Sequence, residues 1–94
     1  MSIVLITGSC GSVGSESVEF FYKKGFVILG IDNNSRKEFF GETASINWKK
    51  NELIKKYKYY QHFNLDIRKY KPLERIFKKY KNKISLIIHA AAQP

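Results

Sequence analysis

The stretch Thr7-Gly8-Ser9-Cys10-Gly11-Ser12-Val13-Gly14 carries three glycines at three-residue spacing, and it is the part of this sequence best suited to chemistry. Each glycine has its own physical task. Gly8 lets the chain turn sharply off a strand. Gly11 leaves no side chain between the backbone and a bound pyrophosphate. Gly14 lets a helix pack close to a sheet. A helix opening after Gly11 would present unpaired N–H groups and a partial positive charge to phosphate oxygens. Each such charge–dipole contact is worth about 0.3–1 kcal/mol. Asp32 follows at the distance, roughly 20 residues on, where a carboxylate can accept the ribose hydroxyls of an adenosine.

Spaced glycines alone are weak evidence; their setting makes them specific. Ile3 to Thr7 is a continuous apolar run suited to a strand buried on both faces. Residues 12–24 carry Gly14, Ser17, Val18, Phe21 and Tyr22 on one helical face, and Gly25 ends that helix as a C′ residue. Phe26 to Ile31 is a second apolar run, ending at Asp32. Strand, glycine loop, helix, strand and acid in this order point to dinucleotide binding. A nucleoside-triphosphate loop needs G-x-x-x-x-G-K-[ST]. Val13 stands at the second glycine counted from Gly8 and Glu16 at that counted from Gly11, with no Lys after either, so that reading fails. A carboxylate at Asp32 repels a 2′-phosphate, which favours NAD over NADP; Arg36 is the residue that argues the other way.

The rest of the chain supplies the elements that hold this turn in place. Residues 33–45 read as a loop and Ile46 to Tyr57 as a helix. In that helix Ile46, Leu53, Ile54 and Tyr57 share a face, while Lys49, Lys50, Lys55 and Lys56 point mostly outward. Tyr59 to Asn64 is a third strand. Pro72 opens a further helix from its first turn, with Leu73, Ile76, Phe77 and Tyr80 at i, i+3, i+4 and i+7. Ile84 to Ile88 is a fourth strand. Strands alternating with helices imply parallel pairing and right-handed crossovers.

Composition narrows the function. At 94 residues, 44% hydrophobic and 27% charged, the chain is one globular domain. No apolar run reaches the roughly 18 residues of a membrane span, and nothing resembles a signal peptide. Cys10 is the single cysteine, so no internal disulfide forms, and no zinc-ligand spacing occurs; both fit the cytoplasm. The net charge is +9, with 14 of 17 basic residues being Lys. A lysine-rich solvated surface accounts for that charge. A basic nucleic-acid-binding module stays open as a minor alternative, although no groove-reading motif is present.

The residues resemble the N-terminal part of the extended short-chain dehydrogenase/reductase family, which includes NAD-dependent nucleotide-sugar epimerases and dehydratases. The matching pieces are the Thr7–Gly14 loop, Asp32-Asn33-Asn34-Ser35-Arg36, Asp66-Ile67-Arg68 and His89-Ala90-Ala91-Ala92-Gln93-Pro94. Within the family, the Asp32–Arg36 loop, the insert with Trp48 and the His89–Pro94 ending look most like the CDP-paratose 2-epimerases. The resemblance implies a Rossmann-like parallel sheet with helices on both faces, strand order 3-2-1-4, the N-terminal half of a doubly wound α/β fold. It also implies a cofactor-binding loop of Gly8, Gly11, Ser12, Val13 and Gly14, in which Ser12 and Val13 meet the pyrophosphate with their backbone. Asp32 would hold the adenosine ribose, with Asn33, Asn34, Ser35 and Arg36 beside it. Asp66 and Ile67 would flank the adenine, and Ala90, Ala91 and Ala92 would run along the cofactor. Ser12 departs from the larger apolar or aromatic residue common in the family.

The family's chemistry uses a Tyr with a Lys four residues later, the Lys lowering the Tyr pKa. Four residues after Tyr22, Tyr57, Tyr59, Tyr60, Tyr70 and Tyr80 stand Phe26, Gln61, Phe63, Asn64, Glu74 and Ile84. The expectation is therefore a cofactor-binding segment over 1–94 without catalytic residues, either a fragment or one chain of a split enzyme whose partner carries Tyr-x-x-x-Lys. Two copies would associate through its open strand-four edge or through the apolar sheet face beside it. His89 reads as structural or cofactor-lining, and His62, in the third strand, as structural. Cys10 reads as a passive loop residue unless the helix N-terminus lowers its pKa. Asp66 could equally cap the turn after strand three. Trp48 could serve a partner surface or simply cover the sheet.

Overall fold

The computed structural model describes residues 2–32 and 47–90, the side chains of Asn47 and Trp48 excepted. Its elements run β1 (Ile3–Thr7), α1 (Ser12–Lys23), β2 (Val27–Ile31), α2 (Asn47–Lys56), β3 (Tyr60–Phe63), α3 (Tyr70–Tyr80) and β4 (Ile84–His89). The expected loop over 33–45 and the expected helix start at Ile46 lie outside the described residues.

The four strands form one parallel sheet in the order β3-β2-β1-β4, as the sequence predicts. Every residue of β1 is buried, which is why its sequence is an unbroken apolar run rather than an alternation. Alternate β1 side chains enter two separate cores. Val4 and Ile6 join Val18 of α1, Ile28 of β2, and Leu53 and Tyr57 of α2 and its end. Ile3 and Leu5 join Leu29 and Ile31 of β2 and Ile76 of α3. Thus α1 and α2 cover one face and α3 the other. Each fully buried Val, Leu or Ile side chain contributes about 1.5–3 kcal/mol.

Gly25 closes α1 with φ +94°. Its N–H donates to Tyr22 O at 3.0 Å, and the Phe26 N–H donates to Phe21 O at 3.2 Å. This pair of bonds is the Schellman arrangement, and it returns the chain directly into β2. In α2 the expected face is only partly correct. Leu53 and Tyr57 are buried, but Ile54 is exposed, while Lys49 and Lys50 are half-buried. Along α3 the predicted stripe holds: Ile76 is buried, and Leu73, Phe77 and Tyr80 pack against the same cluster.

At β4, Ile3 faces Ile84 but Val4 faces Leu86, a one-residue shift in register. Leu86 and Ile87 stay 40% and 50% exposed. Among the described residues β4 pairs with β1 alone, so it forms one edge of the sheet.

Candidate functional site

The strand order reverses direction between β1 and β4. In open parallel sheets that reversal, at the carboxyl ends of the strands, leaves a crevice for a ligand. Four segments meet at this end: Gly8 after β1, Asp32 after β2, Leu65 to Arg68 after β3, and Ala90 after β4.

Gly8 adopts φ +71°, a conformation that costs a residue with a Cβ about 1–2 kcal/mol. Its N–H donates to Ile31 O at 2.7 Å, and its carbonyl accepts the Gly11 N–H at 3.0 Å. The turn is thereby fixed to β2. Gly11 is the N-cap of α1 with an ordinary φ of −76° and no side-chain cap. Its carbonyl takes the first helical bond, from Ser15 N–H at 2.8 Å. Ser12 and Val13 are exposed in the first turn, Val13 at 64%. Gly14 is buried against the loop itself. A Cβ on Gly14 would collide with the Gly8 carbonyl oxygen and lie 2.9 Å from Ser9 Cα. Close approach, the task assigned to this glycine, is imposed by the loop as well as by the sheet.

Asp32 faces this loop. Its Oδ2 accepts the Cys10 N–H at 3.1 Å, and its own N–H donates to Phe63 O at 3.2 Å. The arrangement sets a helix N-terminus, which favours phosphate oxygens, beside a carboxylate, which favours hydroxyl donors. That donor and acceptor set fits a dinucleotide.

Asp66 is committed to its neighbours. Arg68 donates from its backbone N–H to Asp66 Oδ1 and from Nε to both carboxylate oxygens, each at 2.9 Å. Those bonds hold the Asp66 carboxyl down at about 2. The turn-capping role is thus present in the structure, and the carboxylate stays at the edge of the crevice. Ile67 packs against the core under α3. Ala90 continues β4, its N–H donating to Thr7 O at 3.0 Å. Thr7 Oγ1 also meets His89 Nδ1 at 2.7 Å, which gives His89 a partner that sequence could not name. Asn33, Asn34, Ser35, Arg36, Ala91 and Ala92 lie outside the described residues.

Cys10 fits the passive reading of the two that the sequence left open. It is buried, and burial together with the Asp32 carboxylate pushes its thiol up to about 11. A helix N-terminus nearby does not make this cysteine reactive, because desolvation of the thiolate outweighs it.

Sequence reasoning missed a hydrogen-bonded chain behind the loop. Ser9 Oγ lies 2.8 Å from the Tyr60 hydroxyl, which lies 2.8 Å from His62 Nδ1. His62 Nε2 donates to Asp32 O at 3.2 Å. One signal was available: Gly30, a glycine inside an apolar strand, marks a place where something approaches the backbone closely.

Among the described residues, no group of three or more His, Cys, Asp or Glu could hold a metal ion, and no helix is long and apolar enough to cross a membrane.

Comparison with known proteins adds four findings. The family model described as GDP-mannose 4,6 dehydratase matches residues 5–94. A UDP-glucuronate 4-epimerase of Thermodesulfobacterium geofontis is 36% identical over 93 residues, covering 99% of this chain and 27% of that protein. An epimerase structure from Methanothermobacter thermautotrophicus superposes with a TM-score of 0.75 at 28% identity, covering 98% of this chain and 23% of the other. The Bordetella bronchiseptica enzyme WbmH, solved in complex with NAD+, has the same fold, with a TM-score of 0.75 at 22% identity over 100% of this chain and 27% of its own. The chain therefore spans about a quarter of the length of the proteins it matches.

Proposed function

Because this chain belongs to the GDP-mannose 4,6-dehydratase family, we propose that it is the NAD-binding part of a nucleotide-sugar epimerase. The observation that carries the reading is the 3.1 Å bond from the Cys10 N–H to Asp32 Oδ2, which places the ribose-type carboxylate beside the phosphate-type loop. NAD would supply hydride transfer. Ser12 and Val13 would meet the pyrophosphate with their backbone, in a loop shaped by Gly8, Gly11 and Gly14, and Asp32 with Asn33, Asn34, Ser35 and Arg36 would bind the adenosine ribose. Asp66, Ile67, Ala90, Ala91 and Ala92 would line the remaining wall. The carboxylate of Asp32 selects NAD against NADP by repelling a 2′-phosphate.

The segments Asp32–Arg36 and His89–Pro94 favour CDP-paratose as the sugar nucleotide. The 36% identity to a UDP-glucuronate 4-epimerase supports a second reading, with a UDP-sugar in its place. In both, catalysis by a Tyr-x-x-x-Lys pair is assigned outside these 94 residues, either in a longer chain or in a partner chain. We assign the protein to the cytoplasm, where its lone thiol stays reduced.

Calorimetric titration tests the cofactor reading. Saturable binding of NAD+ is expected, weaker binding of NADP+, and loss of binding in Asp32→Ala. At a hundred times Kd, NAD+ should also stabilise the fold by about 2.7 kcal/mol. A folded chain that binds neither dinucleotide overturns the reading.

The edge of β4, or the sheet face beside it, with Leu86 and Ile87 exposed, is assigned to pairing between two copies, since a bare parallel edge leaves backbone groups and apolar side chains in water. Sedimentation at micromolar concentration is expected to give a dimer. A monomer overturns the pairing.

A further inference from the structure

We propose that Tyr60 and His62 are positioning residues of the dinucleotide site, locking the glycine loop to the backbone of Asp32 through one closed ring of hydrogen bonds. This inference rests on the NAD reading above.

The ring can be traced atom by atom. Ser9 Oγ meets the Tyr60 hydroxyl at 2.8 Å, and that hydroxyl meets His62 Nδ1 at 2.8 Å. His62 Nε2 reaches Asp32 O at 3.2 Å. Asp32 Oδ2 accepts the Cys10 N–H at 3.1 Å, and the peptide bond from Cys10 to Ser9 closes the circuit. The loop, the end of β2 and strand β3 are thereby held at fixed separation.

Three sequence features make this one device. Tyr60 is buried, and it reaches Ser9 by passing across β2 at Gly30. A Cβ on Gly30 would collide with the Tyr60 hydroxyl and lie 2.6 Å from Ser9 Oγ. Only a glycine there lets the tyrosine cross, and only a small hydroxyl residue at position 9 can meet it inside the fold.

The direction of the ring follows from its chemistry. A carbonyl oxygen only accepts, so His62 Nε2 carries a proton and donates to Asp32 O. With a neutral imidazole, Nδ1 then accepts from the Tyr60 hydroxyl. Tyr60 has one proton to give, so Ser9 donates to Tyr60. A protonated imidazole donates from both nitrogens and reverses this order. Tyr60 must then turn its proton to Ser9, and the Ser9 proton is left with the Cys10 thiol, a weak acceptor, in a site with no solvent exposure. The groups facing His62 are Tyr60 on its own strand, Asp32 at the end of β2 and Lys50 of α2. Burial and Lys50 hold the imidazole below its ordinary range, and the Asp32 carboxylate and carbonyl act against them. The neutral form is the working form at neutral pH.

The test is an NAD+ titration of the full chain, repeated from about pH 8 to about pH 5.5, across the ordinary histidine pKa of about 6.5. Tyr60→Phe and His62→Gln are each expected to raise Kd about threefold to tenfold at neutral pH, the equivalent of one lost hydrogen bond. The wild-type Kd should rise further as His62 gains its proton, and Tyr60→Phe should flatten that acid limb. Ser9→Ala breaks the same link from the loop side, and it serves if Tyr60→Phe fails to fold. Variants that melt earlier but keep the wild-type Kd and pH profile would reduce the chain to a fold contact and overturn the inference, while leaving the NAD reading intact. A folded wild type that binds no NAD+ at any pH overturns the NAD reading itself.

Discussion

Gly14→Ala is expected to lower the melting temperature by roughly 10 °C and to abolish NAD+ binding. In an ordinary helix this substitution would stabilise by about 0.5–1 kcal/mol, because alanine loses less backbone freedom than glycine on folding. Here the new Cβ meets the Gly8 carbonyl oxygen, with the Gly8 carbonyl carbon at 2.7 Å and Ser9 Cα at 2.9 Å. All three are backbone atoms and cannot rotate away. Either α1 must lift or the Gly8 turn must open, and overpacking of this kind costs about 1–3 kcal/mol. In a domain of this size each kcal/mol moves the melting temperature by about 4–8 °C, so the clash outweighs the helical gain. Binding fails for a separate reason. The same displacement carries the exposed first turn at Ser12 and Val13 away from Asp32. Thermal denaturation by circular dichroism, followed by NAD+ calorimetry on the folded fraction, measures both effects. A variant as stable as wild type would show that α1 sits further from the loop than described.

What the sequence made legible was the part governed by local rules. Buried parallel strands are continuous apolar runs, and the runs of β1 and β2 stand out for that reason; the run of β4 is as apolar, but its residues are half-buried or exposed. Gly8 and Gly14 were readable because a positive φ and a close approach both exclude a side chain. Gly11 differs: its φ of −76° suits any residue, so its conformation does not account for a glycine there. The ring through Ser9, Tyr60, His62 and Asp32 was not legible, since Ser9 and Tyr60 are 51 positions apart and no periodicity links them. Only Gly30 hinted at it. Ile54 was misassigned because it adjoins the buried Leu53 on the margin of the α2 stripe, and α2 is held to the sheet mainly through Leu53 and Tyr57. The Cys10 thiol was ambiguous because a helix N-terminus and burial push its pKa in opposite directions, and only the fold shows that burial dominates.

Leu5→Ala is expected to cost about 2–5 kcal/mol, the usual range for a leucine cut back in a closed core. Ile87→Ala should cost about 0.5 kcal/mol or less, as at an exposed surface position. Both residues are in the same sheet and face each other across the β1–β4 pairing. They differ in what covers them. Leu5 is fully buried among Leu29, Ile31 and Ile76, whereas Ile87 is half exposed on an edge strand. Urea unfolding separates the two cases through the midpoint, provided the slope is unchanged. Equal losses would mean that β1 is not the centre of the core. The asymmetry bears on function because the crevice lies between these two strands. Its β1 wall carries the glycine loop and is packed on both faces, so the loop is held by both cores. The β4 wall is held to β1 by strand pairing and by the Ala90 N–H bond to Thr7 O, but its own residues are half-buried or exposed, so the proposed pairing between copies would add to its support. Ile87→Ala should therefore leave unfolding nearly unchanged and weaken the β4 pairing instead, an effect that sedimentation reads where denaturation does not.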